Sequence, residues 1–532
     1  MRFSALLSCV VYLFALCHHL AQAGFVDLPA DGALALRRAV SIATFQDLPT
    51  RGNSIGRYYW FGVADDYLLA PFLLAAGSLE AVLRRCAMFH ALCAPIAFAI
   101  GAALRRPLLG LLFGLSLAAL PDLVQLTGSY PLNYRTTHWA LLALLGATLV
   151  GSAERNATTR QVGAAILLGA AALAVASHPF GIAALPAALI VCASSRTWPR
   201  GRVAGFTTLG VALVLGPYFT SNLEGLEATL FGRGSDTRAD AAQVLAGSLS
   251  ALHNVSGALK GLPGGLATGL VLLGGAPLCA IRKQTRPALV LVVLWIFGAY
   301  GAFLLAGYPP KTWHLRPCLY LGLGLGFAGW TAALSWLLEY RPAGAEHVSL
   351  PRLRLASAAL ISITFFALNP APIAEAKGSP ARGFGELSKA VLELADGRPF
   401  QYIEAQSHCP LNWSAEATLL DLHLRSGDFS LGTHQDAHLL AAIERIDTFE
   451  AHALASPAVE LALTNGLAFR LHWNEYPQAW RQQFLKYCPA TPPTGNEEPF
   501  HFGGPAKGAL DSPCWVKTAC SMRHPAPNPD GG

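Results

Sequence analysis

Two adjacent carboxylates, Asp65-Asp66, stand in a chain with only 13% charged residues, and a third, Asp31, lies upstream in the same polar segment. A carboxylate so placed can orient or deprotonate an acceptor hydroxyl. Five basic residues, Arg57 of the same segment and His178, Lys311, His314 and Arg316 of others, are of the kind that neutralises a phosphate as negative charge develops on it. Together these types suit transfer of a group from a phosphate-bearing donor to a hydroxyl. Competing motifs are poorer. Gly52-Asn53-Ser54-Ile55-Gly56 fits G-x-S-x-G but lacks the strand-turn-helix surroundings of a hydrolase nucleophile. His434 and His438 flank Asp436 without forming H-E-x-x-H. No residue is assigned to a metal, and a divalent cation is left open as a cofactor.

The elements that must position these groups are membrane helices. Of 532 residues 53% are hydrophobic and the mean hydropathy is +0.41, which excludes a soluble globular enzyme. The net charge of +6 sits in short clusters between apolar runs, a topology signal and not a nucleic-acid-binding stripe. Apolar segments fall at 4–22, 86–104, 108–126, 139–152, 162–176, 181–195, 204–220, 264–281, 288–307, 318–338 and 355–371. With the N-terminus inside, the cytoplasmic connections hold Arg105, Arg106, Arg155, Arg160, Arg196, Arg200, Arg202, Arg282, Lys283, Arg286, Arg341, Arg352 and Arg354. The opposite short connections, apart from the long first loop, hold only Arg135, Arg233, Arg238, Lys260, Lys311 and Arg316, so the positive-inside rule orients the chain. The expected fold is all-α and polytopic, with about 11 transmembrane helices, N-terminus in and C-terminus out. Residues 1–23 also have the form of a cleavable signal peptide, which would leave the remaining topology unchanged.

Two segments lie outside on this reading. Residues 24–85 form a long first loop in which the stretch Tyr67 to Leu83 suits a helix along the membrane surface. Residues 373–532 return to soluble composition and are expected to form a mainly α domain, with helices near 385–395, 415–424, 436–453 and 476–487. Cys409, Cys488, Cys514 and Cys520 all lie there, and an even number in an exported domain favours two disulfides of undetermined pairing. The other seven cysteines lie in or beside apolar runs. Gly322 and Gly326 form a G-x-x-x-G pair suited to close helix packing. Sequons occur at Asn156, Asn254 and Asn412, the first on the cytoplasmic side.

Ionisable residues are almost absent from mid-membrane depth, and no duplication of the membrane half is evident, which disfavours an ion-coupled transporter. Polar groups gather instead at the outer boundary: Asp27, Asp31, Arg57 to Trp60, Asp65 to Tyr67, Tyr130, Arg135, His138, His178 and the stretch Tyr308 to Arg316. An enzyme joining a lipid-borne donor to an outside acceptor needs this arrangement.

The pattern of one span, a long acidic outside loop with a surface helix, many further spans and a soluble outside tail resembles the GT-C class of membrane glycosyltransferases. That class includes the protein O-mannosyltransferases and the lipid A aminoarabinose transferases. The resemblance covers the chain to about residue 372. It implies catalysis by an acidic motif of the first outside loop, which corresponds here to Ala30-Asp31-Gly32 or to Asp65-Asp66-Tyr67-Leu68-Leu69-Ala70-Pro71. Gly32 stands where the class usually has Glu, and the prolines of the second segment are displaced. The His178-Pro179-Phe180-Gly181 turn and the loop from Lys311 to Pro317 resemble positions used around the donor. The implied activity is transfer of a hexose or pentose from a polyprenyl-phosphate donor to an extracytoplasmic glycan, lipid or protein, in a bacterial inner membrane with the tail periplasmic. The alternatives are a polysaccharide ligase or polymerase using a lipid-diphosphate donor, and a lipid or polysaccharide transporter.

Overall fold

The computed structural model describes residues 2–23, 30–52, 54–55, 59–118, 135–152, 156–230, 241–260, 273–306, 312–339, 392, 401–404, 415–427, 433–434, 450–453, 460–464 and 467–470. The chain opens with α1 (Arg2–Gln22) and α2 (Ala30–Ala43), followed by a two-stranded hairpin of β1 (Ser54–Ile55) and β2 (Tyr59–Trp60). Then come α3 (Ala64–Leu73), α4 (Leu79–His90), α5 (Cys93–Ala103), α6 (Pro107–Ala118), α7 (Arg135–Gly151) and α8 (Ala157–Ser177). A 3-10 turn (Pro179–Ala183) leads into α9 (Ala184–Ser194), α10 (Gly201–Leu230) and α11 (Ala241–Lys260). After a second 3-10 turn (Ala276–Ala280) follow α12 (Arg286–Ala306) and α13 (Thr312–Glu339).

Among the described residues five helical stretches are long and apolar enough to cross a membrane: Ser4–Ala21, Leu79–Ala103, Ala157–Ser177, Gly201–Leu223 and Arg286–Leu304. Pro107–Ala118, Thr137–Gly151 and Phe180–Ser194 are shorter apolar helices. The apolar run at 318–338 is the body of α13, and the run at 355–371 lies outside the described residues. In α10, Phe206, Leu209 and Leu213 are 75%, 57% and 67% exposed, which is tolerable where the surrounding solvent is hydrocarbon. Inside the bundle the core mixes large side chains such as Trp295, Tyr320 and Phe180 with small residues that let helices approach closely. Gly146 of α7 packs on the α8 backbone, where a Cβ would lie 2.6 Å from the Leu167 nitrogen. The G-x-x-x-G pair of α13 packs closely as expected, Gly322 against Leu273 and the Gly326 carbonyl against Gly275.

Three expectations need correction. Residues 30–43 were expected as loop but form α2, whose Leu36, Ala39, Val40 and Ala43 are buried at i, i+3, i+4 and i+7, a helical stripe. The single surface helix over Tyr67 to Leu83 is two helices. Leu74 is extended, Ala75 takes φ +56°, and Ser78 starts α4 by accepting from the Ala81 N–H. Beyond that break the chain runs into a membrane-length segment. The connection after Arg238 carries α11, a 20-residue helix.

The tail is also corrected. Its described residues comprise α14 (Ala415–Ser426), as expected, together with five strands: β3 (Gln401–Glu404), β4 (Thr433–His434), β5 (Glu450–Ala453), β6 (Glu460–Thr464) and β7 (Leu467–Arg470). The sheet runs β4-β3-β7-β6-β5, with β3 parallel to both its neighbours and β5, β6 and β7 successively antiparallel. Residues 450–453, assigned from sequence to a helix, pair instead with β6, because strand formation depends on partners distant in sequence. Asn465-Gly466 between β6 and β7 is the pair most favoured in two-residue hairpins. The four tail cysteines and the windows 385–391, 393–395 and 476–487 lie outside the described residues.

Candidate active site at the head of α3

The first turn of α3 carries both carboxylates. Acidic side chains suit a helix N-terminus, where unpaired N–H groups and the helix dipole favour negative charge, and here no side chain of the preceding Val63 caps the turn. Adjacent positions on a helix diverge by about 100°, so the two side chains reach different partners. Asp66 Oδ2 accepts from Arg38 Nε of α2 at 3.0 Å, in an ion pair whose side chains are 0% and 17% exposed. Asp65 Oδ1 accepts from Trp139 Nε1 of α7 at 2.9 Å, and the same indole N–H lies 3.0 Å from Ser177 Oγ at the end of α8. Two neighbouring residues thereby join α3 to α2, α7 and α8.

Backbone contacts fix the approach to that turn. Gly62 N donates to the Ala176 carbonyl at 2.8 Å, and a Cβ at Gly62 would lie 2.7 Å from that oxygen. Trp60 pairs with Asn222 of α10 in both directions, its N–H to Oδ1 at 2.7 Å and its carbonyl from Nδ2 at 3.1 Å. The Arg51 guanidinium lies 5.5 Å over the Trp60 ring. Tyr67 on the same turn donates to the Pro49 carbonyl at 3.2 Å. Burial, followed by the charges of Asp47 and Asp66, raises its phenol above the usual 10.0.

His178 is buried where α8 ends, and its Nδ1 accepts from the Phe180 N–H at 3.1 Å. A neutral ring in this bond carries its proton on Nε2. The Phe180 carbonyl accepts from Trp295 Nε1 of α12 at 2.9 Å, so the turn after α8 is locked into the bundle. Its neighbour Ser177 shares the indole donor with Asp65, which brings His178 and the carboxylates to one region. Beside Trp139, His19, His90 and His138 from α1, α4 and α7 form a buried row, with ring centroids 6.3 and 5.7 Å apart.

The remaining sequence candidates are placed less fully. Asp31 lies in the first turn of α2, and His314 and Arg316 lie at the start of α13, with their side chains outside the described residues. Arg57 and Lys311 are outside them altogether. Arg38, Trp139 and Ser177 escaped sequence reasoning. Arg37-Arg38 was nevertheless a signal, as a basic doublet in an outside loop runs against the positive-inside rule. Among the described residues no group of three or more His, Cys, Asp or Glu has an arrangement that would hold a metal ion. Ser54 sits in a two-residue strand, without the strand-turn-helix elbow of a hydrolase. Asn156 caps α8, its Oδ1 accepting from the Thr159 N–H and hydroxyl.

Comparison with solved structures supplies the fold class. The chain is similar to ArnT from Cupriavidus metallidurans, a lipid A aminoarabinose transferase, in its apo state, with a TM-score of 0.51 and 14% identity over 81% of this chain and 85% of that one. It is less similar to the Archaeoglobus fulgidus oligosaccharyltransferase, with a TM-score of 0.45 and 13% identity over 78% of this chain and 61% of that one. No family model matches the sequence, and no curated protein matches it. At 14% identity the likeness is one of fold: the chain shares the fold of ArnT.

Proposed function

We propose that this protein is an inverting GT-C-type glycosyltransferase that moves a hexose or pentose from a polyprenyl-phosphate donor to an extracytoplasmic glycan, lipid or protein. The observation that carries the reading is the buried Asp65-Asp66 pair on the first long loop, braced by Arg38 and Trp139 within a fold shared with ArnT. A carboxylate of the pair acts as base toward the acceptor hydroxyl, with Asp31 as the alternative. Burial gives these charges greater effect than they would have in water. Arg57, Lys311, His314, Arg316 and His178 are assigned to the donor phosphate, where a cation stabilises the charge that grows on the leaving group.

The proposed setting is a bacterial inner membrane, with the N-terminus cytoplasmic and both the first loop and the tail periplasmic. Packing of α14 against α2 and α4 supports a common face for the loop and tail. Purified protein in lipid nanodiscs, given a radiolabelled polyprenyl-phosphate sugar and an envelope extract as acceptor, should release polyprenyl phosphate and label the acceptor. Absence of both products across hexosyl and pentosyl donors would exclude the reading. An external reporter signal after Arg202 would invert the proposed topology.

A further inference from the structure

We infer that α14 of the tail is a strap that sets the spacing between the helices carrying the carboxylate site, and that Asp421 is its positioning residue. Asp421 lies 342 positions from Leu79 in sequence, yet its Oδ1 accepts from the Leu79 N–H at 2.6 Å in a buried hydrogen bond. Leu79 is the first residue of α4, so its N–H has no partner within the helix. A carboxylate there supplies both the missing acceptor and a favourable charge for the helix end. The other oxygen, Oδ2, accepts from Arg425 Nε one turn along α14 at 2.7 Å. Both Asp421 oxygens therefore have defined roles.

The apolar contacts point the same way. Leu420, Asp421, Leu422 and His423 are each 0% exposed, and Leu420 belongs to the same core as Leu36 and Ala39 of α2 and Leu79 and Val82 of α4. The strap thus touches the helices on either side of α3. One of them, α2, supplies Arg38 to Asp66. The other is separated from the end of α3 by five residues. A buried, hydrogen-bonded carboxylate at that junction fixes one end of the layer, while the contact of α14 with α2 holds the other. In the tail α14 also contacts β3 and β4, so the sheet braces the strap from behind. The catalytic consequence rests on the glycosyl-transfer reading; the structural strap does not.

The test uses the full-length protein in nanodiscs, with amide exchange read by mass spectrometry over residues 33–40 and 79–83 and turnover measured with the polyprenyl-phosphate sugar. Asp421→Ala should raise exchange in both segments by about tenfold, the scale of a lost hydrogen bond to a charged group. It should lower kcat by about tenfold or more with donor KM little changed, since small misplacement of reacting groups is enough for that. Asp421→Asn keeps an oxygen for the Leu79 N–H and should return both readouts to within about threefold of wild type, a rescue that mere loss of folded protein would not follow. Arg425→Met leaves the Leu79 bond but takes the partner from a wholly buried carboxylate, and should raise exchange over 33–40 by at least about tenfold, as expected where one member of a buried pair is removed. Exposed Arg84→Ala is the control and should match wild type. If Asp421→Ala does not accumulate, the asparagine and methionine variants still decide: full damage from Asp421→Asn, or no change from Arg425→Met, overturns the strap. Unchanged exchange over 33–40 in Asp421→Ala does so as well. A wild-type protein inactive on every lipid-linked sugar, but loosened over 33–40 by Asp421→Ala, would remove the glycosyl-transfer reading and leave the strap standing.

Discussion

Arg38 Nε meets Asp66 Oδ2 at 3.0 Å, a contact that ties the helix before the β1-β2 hairpin to the helix after it. The Asp66 side chain is wholly buried and that of Arg38 is 17% exposed. In such a setting the pair is weak evidence of net stability, but removing one partner alone is expensive.

Arg38→Ala should therefore destabilise the protein by about 3 kcal/mol, the lower end of the range for breaking a buried pair because Arg38 retains some solvent contact. The double variant Arg38→Met with Asp66→Leu removes both charges and should recover most of the lost thermal stability in detergent, while remaining inactive. A double variant no more stable than Arg38→Ala would show that the ion pair is not the source of the loss.

Asp66→Asn preserves size and removes charge. The variant should insert normally and bind the lipid donor, with turnover lowered by about 10² to 10⁴, the usual contribution of a positioned base. Asp65→Asn and Asp31→Asn in the same assay separate the candidates. Near-normal turnover in Asp66→Asn with none in Asp31→Asn would move the base to the head of α2; activity in all three would count against glycosyl transfer itself.

Trp139→Phe keeps a smaller aromatic ring and deletes the N–H shared by Asp65 and Ser177. Leaving that buried carboxylate without its indole donor should cost about 1 to 3 kcal/mol, and turnover should fall more than in Ser177→Ala, which leaves the Asp65 bond in place. Equal effects of the two variants would show that the indole acts through Ser177.

Glycine substitutions probe the turn bearing His178. A Cβ at Gly181 would overlap the Ala174 carbonyl of α8, whereas one at Gly169 meets nothing within 4 Å. Gly181→Ala should cost at least about 1 to 3 kcal/mol through overpacking. Gly169→Ala should be neutral or stabilising by up to about 1 kcal/mol, as alanine is the better helix former. Reversal of that order in thermal unfolding would contradict the packing described at the end of α8.

The sequence by itself determined the membrane character, the positions of most apolar helices and the adjacency of Asp65 and Asp66. These follow from local quantities, since hydrocarbon thickness fixes the length of an apolar run. Even α2 was readable, since Leu36, Ala39, Val40 and Ala43 repeat at helical spacing. Only the tertiary structure decided that Asp66 faces Arg38, that Asp65 faces Trp139 and Ser177, and that the tail sheet replaces the helix expected over 450–453. The same holds for the bond between Asp421 and Leu79. Each joins groups far apart along the chain, and the periodicity of a segment states which face is apolar without stating what will cover it.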